Sequence, residues 1–180
     1  YCGRHFPTVE INGSFYSLQR PQYYEQWYRE TPAGFVFAVK GSRYITHLLR
    51  LTNIEKPLAN FFASGVLALE DKLGPFLWQL PPNLRFRPER VASFLQLLPR
   101  TTREAVTLGR KHDHRLEGRS WLGPIRNRTL RHVIEPRHED RHGGVSFRVG
   151  WSVSERLVAT VRERSPGATG EDLLATAVQF

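Results

Sequence analysis

Phe35-Val36-Phe37-Ala38-Val39-Lys40 places five apolar residues before one charged residue, a pattern typical of a buried β-strand. Three other stretches share this pattern of an apolar run with polar side chains at its end: Thr8-Val9-Glu10-Ile11-Asn12, Phe76-Leu77-Trp78-Gln79-Leu80 and His132-Val133-Ile134-Glu135-Pro136-Arg137-His138. The stretches between them are long enough for helices, and an alternation of strands and helices is typical of a parallel α/β sheet. The sequence therefore predicts an α/β fold with polar residues at the strand ends.

Helix signals lie between the predicted strands. Pro21 and Pro88 each suit the first turn of a helix, where a missing backbone N–H leaves no hydrogen bond unmade. Thr101 followed by Glu104 matches a capping box, which predicts that another helix begins there. Residues 54–72 also predict a helix, broken near its middle by a Ser-Gly pair. Strand and helix signals thus alternate as far as the fourth strand.

The composition is that of a folded globular domain, since 40% of the 180 residues are hydrophobic and 12% are aromatic. No apolar run approaches the ~20 residues that span a bilayer, so we expect no membrane partner. Cys2 is the only cysteine, which excludes an internal disulfide and favours a reducing, cytoplasmic setting. A complete (β/α)8 barrel takes ~250 residues. Because the chain is shorter and contains no methionine, we expect it to be a piece of a longer protein.

The charge is strongly positive, with a net value of +9. Residues 100–150 hold most of the excess, with 12 basic and 6 acidic side chains. Nearly all of the basic residues are arginines, whose planar guanidinium groups suit phosphate and carboxylate ligands. The arginines are interleaved with acidic residues, which favours solvated surfaces over a dedicated binding patch.

Four motifs lie at the predicted strands: Phe6-Pro7-Thr8-Val9-Glu10-Ile11-Asn12-Gly13-Ser14-Phe15-Tyr16, then Phe35 to Lys40 with Ile45-Thr46-His47, then Lys72-Leu73-Gly74-Pro75 through Gln79-Leu80-Pro81-Pro82, and Glu135 with Arg137-His138-Glu139. In order and spacing they resemble the YecE-like family, called domain of unknown function 72. The resemblance implies a TIM-like barrel whose molecular function is unassigned. It also implies that a glycine-rich first strand and the last strands of the barrel are missing from this chain.

We predict a partial TIM-like (β/α) barrel over residues 1–142, with about four of the eight β/α units. Residues 143–180 are predicted to form a divergent tail, because the strand pattern fades after Gly143-Gly144. This tail is either helical, over residues 154–164 and 170–178, or translated out of frame after a frameshift near His138. A half barrel leaves unpaired strand edges, so we also expect self-association through them.

Side chains that act on a substrate lie at the C-terminal ends of the strands in such a barrel. We predict acid–base catalytic residues at five of these positions: Glu10, Lys40, His47, Glu135 and His138. Four further residues are predicted to bind the ligand: Asn12, Tyr16, Gln79 and Arg137. Burial and neighbouring charge shift the pKa values of such groups towards neutrality, and a lysine or arginine can hold an anion. The alternative is a purely structural set of ion pairs, Glu10 with Lys40 and Glu135 with Arg137.

These residue types favour a small phosphorylated or polyhydroxy ligand and give no indication of a cofactor or a metal. They leave open whether the protein is an enzyme. Two alternatives remain. The stretch from Arg100 to Arg131 could contact nucleic-acid phosphates. His138-Glu139-Asp140-Arg141-His142 matches the H-E-x-x-H pattern of zinc hydrolases, but Pro136 before it and two glycines after it disfavour the helix that this chemistry needs.

Overall fold

A four-stranded parallel sheet forms the centre of the molecule. The computed structural model describes residues 2–85, 87–135, 145–151, 157–163 and 175–178. The parallel strands are β1 (Thr8–Ile11), β2 (Val36–Lys40), β3 (Leu73–Gln79) and β4 (His132–Glu135), and they lie in the order β1-β2-β3-β4. All four strands predicted from the sequence are thus present in one sheet, and the predicted α/β class is confirmed.

Helices connect the strands. The α-helices are α1 (Cys2–His5), α2 (Gly13–Tyr16), α3 (Pro21–Glu30), α4 (Glu55–Ala63), α5 (Pro88–Leu97) and α6 (Thr102–Gly109); a π-helical turn spans Tyr44–Leu48, and 3₁₀ helices span Val66–Lys72 and His114–Leu116. Pro21 and Pro88 occupy the first turns of α3 and α5 as predicted. The break predicted within residues 54–72 falls at Gly65, whose φ of 105° only glycine adopts readily.

The capping box at α6 is confirmed with one difference. The Thr101 hydroxyl accepts a hydrogen bond from the Glu104 amide at 3.2 Å, as the motif requires. The Glu104 carboxylate reaches one residue further back than the motif predicts and accepts from the Arg100 amide at 2.8 Å. Both interactions satisfy backbone N–H groups near the start of α6, where the helix itself supplies no acceptors.

β3 begins three residues earlier than its apolar run predicts, because Gly74 and Pro75 belong to the strand. The register with β2 shifts there, from Phe37 opposite Leu73 to Val39 opposite Phe76, which leaves one extra residue in β3. Proline donates no ladder hydrogen bond and is tolerated at such an irregularity. The Gly-Pro pair therefore lies at a bulge inside the strand.

One face of the sheet carries the hydrophobic core. Phe76 and Trp78 of β3 are fully buried on this face, together with Val39 of β2. Phe61 of α4 and Phe94 of α5 meet Trp78 with ring centroids 5.4 and 5.3 Å apart. These aromatic contacts hold α4 and α5 against this face. The polar residues of the strands lie on the other face, which these two helices do not cover.

The opposite face is only partly covered. Strand residues alternate between the two faces, and the parallel registers bring the remaining residues of β1 to β4 to this side. Most of them are half-buried and they mix apolar with polar types: Glu10, Ala38, Lys40, Leu77, Gln79, Val133 and Glu135. The residues predicted to form a site on these strands therefore share a single face.

Beyond β4 the structure shows three further strands, two of which lie where the sequence predicts helices. β5 (Val145–Trp151), β6 (Leu157–Glu163) and β7 (Ala175–Val178) continue the sheet in antiparallel order, with β5 paired to β4. The helical prediction for residues 154–164 and 170–178 is therefore wrong where these segments are described. β-Branched residues such as Val158, Thr160 and Val161 explain the difference, since they favour strands. Among the described residues, no helix has the length and apolar character that a membrane crossing requires.

Candidate functional site

Glu10 and Lys40 meet at the C-terminal ends of β1 and β2. The Lys40 ammonium lies 3.8 Å from the Glu10 carboxylate, and their side chains are 14% and 32% exposed. The two residues share a face because Glu10 is level with Ala38 and Lys40 follows two positions later. At 3.8 Å the pair is an ion contact without a close hydrogen bond. Both groups thus keep bonding capacity towards the open side of the sheet.

An aromatic cluster lies beside this ion pair. The Lys40 ammonium sits 5.1 Å from the centre of the Phe15 ring, within cation–π range. His47 and Tyr16 each meet Phe15 edge-to-face, with ring centroids 5.1 Å apart. The Thr46 hydroxyl, 2.9 Å from His47 Nδ1, helps to fix the imidazole. Three predicted site residues, Lys40, His47 and Tyr16, are therefore joined through Phe15, which the sequence analysis did not single out.

The local fold explains how Phe15 reaches Lys40. Ser14 is buried at the first turn after β1, where its hydroxyl lies 2.6 Å from the Lys40 carbonyl and 2.9 Å from the Ile11 carbonyl. These bonds tie the short helix α2 to the end of β2. Gly41 then lets the chain leave β2 close to Trp78, since a Cβ atom at Gly41 would lie 2.1 Å from the indole. Small residues at these two positions hold the strand ends together.

Gln79 and Glu135 form a second polar pair at the ends of β3 and β4. They are directly opposite one another in the parallel register. The Gln79 amide donates to the Glu135 carboxylate at 2.9 Å, and Gln79 is buried. Lys40 is level with Leu77, two residues before Gln79 on the same face. The two polar pairs therefore lie along one edge of one face, as the prediction of a strand-end site requires.

The remaining predicted site residues fall into two groups. Asn12 and Tyr16 are exposed at the strand-end edge, where Asn12 precedes α2 and Tyr16 ends it. Arg137 and His138 lie outside the described residues, as does the whole H-E-x-x-H stretch. The predicted ion pair between Glu135 and Arg137 and the zinc pattern therefore stay predictions. No group of three metal-ligating side chains is found within the part of the chain that the structure describes.

The sequence analysis missed a buried histidine in the core. The Trp78 indole N–H donates to His132 Nδ1 at 3.1 Å, so Nε2 carries the proton and donates to the Pro99 carbonyl at 2.8 Å. Burial lowers the pKa of His132 to about 4, while the bond to Pro99 opposes this shift. His132 is therefore a neutral core residue that ties β4 to β3. Its place in an alternating strand, one residue before Val133, is the sequence signal for an inward side chain.

Lys72 is a second missed residue. It is buried, and its ammonium donates to the Tyr28 and Thr31 carbonyls at 2.5 and 2.6 Å at the end of α3. A cation at a helix C-terminus satisfies unpaired carbonyls and stabilises the helix dipole. This lysine of the third motif therefore serves the fold, whereas Lys40 of the second motif faces the candidate site.

The arginine-rich stretch from Arg100 to Arg131 is mostly exposed. Two of its three carboxylates accept from backbone amides: Glu104 from Arg100, and Asp113 from Arg115 at 3.0 Å. The bond from the Arg115 amide lowers the pKa of Asp113. The three acidic groups of the stretch neutralise its arginines only in part, which agrees with an anion-attracting surface. Nucleic-acid contact by this stretch stays a prediction.

Comparison with known proteins identifies the family. The family described as protein of unknown function DUF72 matches residues 1–143. The chain belongs to DUF72. The resemblance of its four motifs to the YecE-like family is thereby confirmed, and the match includes every described residue of the candidate site.

Two curated DUF72 relatives have names but no stated activity. UPF0759 protein YunF of Bacillus subtilis strain 168 is 36% identical over 93 residues, which are 49% of this chain and 33% of YunF. UPF0759 protein YecE of Escherichia coli K12 is 30% identical over 99 residues, which are 53% of this chain and 35% of YecE. The chain thus matches about a third of the length of these relatives.

A solved structure of a DUF72 family protein, from Enterococcus faecalis V583, resembles this chain with a TM-score of 0.44 and 24% sequence identity. The match covers 52% of this chain and 39% of that one.

Proposed function

We propose that this chain is part of a TIM-like barrel that binds a small phosphorylated or polyhydroxy ligand at the C-terminal ends of its strands. One observation carries the proposal: the polar side chains of Glu10, Lys40, Gln79 and Glu135 share the sheet face that the helices α4 and α5 leave uncovered. In a TIM barrel the helices lie outside and this face lines the interior. Four parallel strands with helices on one face are what a segment of such a barrel provides.

The proposed roles follow from the contacts. Lys40 offers its ammonium to a phosphate or carboxylate, and Glu10 and Glu135 offer acceptors to hydroxyl groups. His47 supplies an imidazole beside Phe15, suited to proton exchange or hydrogen bonding. Phe15 and Tyr16 provide aromatic edges and faces against which an apolar ring surface can pack. Asn12, Gln79, Arg137 and the acid–base candidate His138 complete the proposed set.

A substitution at Lys40 tests this role. Lys40→Gln removes the positive charge but keeps much of the side-chain length, and we expect it to weaken phosphate binding roughly tenfold or more, the usual cost of losing a charged hydrogen bond. The probes are inorganic phosphate, glycerol 3-phosphate, ribose 5-phosphate and unphosphorylated ribose, measured by titration calorimetry. The melting temperature should stay within a few degrees of the parent value, because the ion pair with Glu10 is partly exposed.

Lys56→Gln is the matched control, since Lys56 is an exposed lysine on α4 whose ammonium donates to the Lys111 carbonyl. It should leave phosphate binding unchanged. If Lys40→Gln lowers the melting temperature strongly and binding is unaffected, the Glu10–Lys40 pair is structural and the proposal is wrong. If none of the four probes binds the parent chain or a longer protein that contains it, the proposed ligand class is wrong.

A further inference from the structure

A cavity lies near the N-terminal ends of β3 and β4. It measures about 620 Å³ and is lined by Tyr28, Glu70, Asp71, Ile125 and the run Arg126-Asn127-Arg128. Tyr28 belongs to the last turns of α3, and Glu70 and Asp71 lie near the end of the 3₁₀ helix Val66–Lys72 that precedes β3. The volume is in the range of small-molecule sites. Lys40 and Glu10 lie at the C-terminal ends of their strands, so the cavity is at the other end of the sheet from them.

One wall of the cavity is acidic. Glu70 and Asp71 are exposed, and Glu70 has a backbone conformation that is rare for a residue with a side chain, with φ 44° and ψ −118°. The Arg128 guanidinium donates to the main-chain carbonyls of both residues and holds this conformation. Lys72 anchors the next position to the end of α3. The two carboxylates are thus presented by a backbone that is fixed at several points.

The other wall is basic and also fixed. The buried Thr102 hydroxyl donates to the Arg126 carbonyl at 3.0 Å and accepts from the Arg128 amide at 3.0 Å. The Thr102 amide donates to the Arg128 carbonyl at 2.9 Å. Asn127 Oδ1 accepts from the Arg103 amide, so the Asn127 NH₂ group is the part that can donate to a ligand. These hydrogen bonds hold residues 126–128 against the start of α6.

The opposite charges of the two walls do not pair with each other. Among the described residues, no ion pair joins Arg126 to Glu70 or Asp71. Arg128 is occupied by carbonyl groups, whereas the Arg126 side chain is exposed. The Tyr28 phenol donates a hydrogen bond to the Asp71 carboxylate, which raises the pKa of that phenol. The lining of the cavity therefore combines two acidic residues from the segment before β3 with a guanidinium and an amide N–H from residues 126–127.

We propose that this cavity binds a small zwitterion, a free amino acid or a dipeptide, with its ammonium at Asp71 and Glu70 and its carboxylate at Arg126 and Asn127. An ammonium–carboxylate ligand matches the arrangement of charges, and Arg126 can hold a carboxylate through two parallel N–H donors. Ile125 provides an apolar surface for the ligand's side chain. The volume leaves room for two residues.

All of the residues that line the cavity lie in the described part of the chain. Its walls come from α3, the segment before β3 and the segment before β4. All three belong to the connections between the four parallel strands. A different cavity of about 500 Å³ follows the free edge of β1, with Val9, Ile11 and Gly3 in its lining. A further strand could fill that edge cavity.

Titration with amino acids tests the site. The ¹⁵N-labelled 180-residue chain is titrated with each of the twenty free amino acids and with Gly-Gly up to about 10 mM, which detects millimolar affinities. We expect at least one of these probes to shift the amide signals of residues 69–72 and 125–128. The N-acetylated and the C-amidated forms of that probe should each bind roughly tenfold more weakly, because each lacks one charge.

Variants locate the binding. Asp71→Asn and Arg126→Gln should each weaken the best probe roughly tenfold or more, while Arg110→Gln, at an exposed arginine at the end of α6, should not. Melting curves of all three variants confirm that they are folded. The proposal is overturned if no probe shifts these signals, if the blocked forms bind as well as the free ones, or if both variants bind like the parent. Phosphate binding at Lys40 is measured separately and does not affect this outcome.

Discussion

His132 shows how one buried side chain makes the fold sensitive to pH. Its two ring nitrogens are both used, one accepting from Trp78 and one donating to Pro99, so the neutral ring fits its surroundings fully. Protonation would place a second N–H opposite the indole N–H, which is also a donor. The folded protein therefore resists protonation, and the pKa of His132 falls from 6.5 to about 4.

We predict that the free energy of unfolding decreases as the pH falls from about 6.5 towards 4. In this window the unfolded chain binds a proton at His132 and the folded chain does not, so acid favours unfolding. A pKa difference of this size corresponds to a loss of about 3 kcal/mol near pH 4. Urea denaturation followed by fluorescence at several pH values measures it.

His132→Gln supplies the test of this assignment, because glutamine has a donor and an acceptor but does not titrate. The variant should be less stable at pH 7 and should lose most of the pH dependence between 6.5 and 4. His114→Gln, at an exposed histidine, should keep the dependence of the parent. An unchanged dependence in His132→Gln would show that other groups cause it.

At the scale of the secondary-structure elements, the contact between β2 and β3 depends on Gly74. A Cβ atom there would lie 2.5 Å from Val36 Cγ1 and 2.8 Å from the Phe37 carbonyl oxygen. Both neighbours belong to β2 or border it, and the Phe37 oxygen is part of the backbone. The register shift between the two strands therefore requires a residue without a side chain at this position.

We predict that Gly74→Ala lowers the free energy of unfolding by about 1–3 kcal/mol, the usual cost of overpacking a core. The strands must move apart to accommodate the methyl group, which loosens Phe76 and Trp78 as well. The midpoint of urea denaturation measures the change. Gly13→Ala is the control, since its Cβ would lie 3.3 Å from the side chain of Gln19, which can move aside, and it should be close to neutral. Equal stability of the two variants would contradict the role assigned to Gly74.

For the molecule as a whole, the outer edge of β1 is unpaired among the described strands. β1 is the first strand in the sheet order and pairs with β2 on one side, whereas the outer edge of β4 is paired with β5. Thr8 and the residues that follow it thus present backbone groups at an edge that another strand could extend. The half-buried Leu77 and Val133 on the open face add apolar surface nearby.

We predict that the chain associates with itself as its concentration rises. Sedimentation velocity over a dilution series should show an average mass above the monomer's 20.8 kDa at high concentration. Thr8→Lys, which places a charge on the exposed edge strand, should reduce the association. Thr107→Lys, at an exposed position on α6, should not. A monomer at all concentrations, with a cooperative melt, would contradict this prediction.

The sequence by itself determined the four parallel strands, the starts of α3, α5 and α6 and the break at Gly65, because apolar runs, prolines, caps and glycine act through local backbone energetics. It also placed Glu10, Lys40, Gln79 and Glu135 at strand ends, since alternation within a strand and the order of strands fix the face and the edge. The sequence did not predict the strands β6 and β7, because short segments with mixed polarity suit either a helix or an edge strand. Only the tertiary structure decided which side chains come together from distant segments: Phe15 against Lys40, His132 between Trp78 and Pro99, and Arg126 and Asp71 in the lining of one cavity. Those contacts depend on the register and packing of elements that are far apart in sequence, which no local pattern encodes.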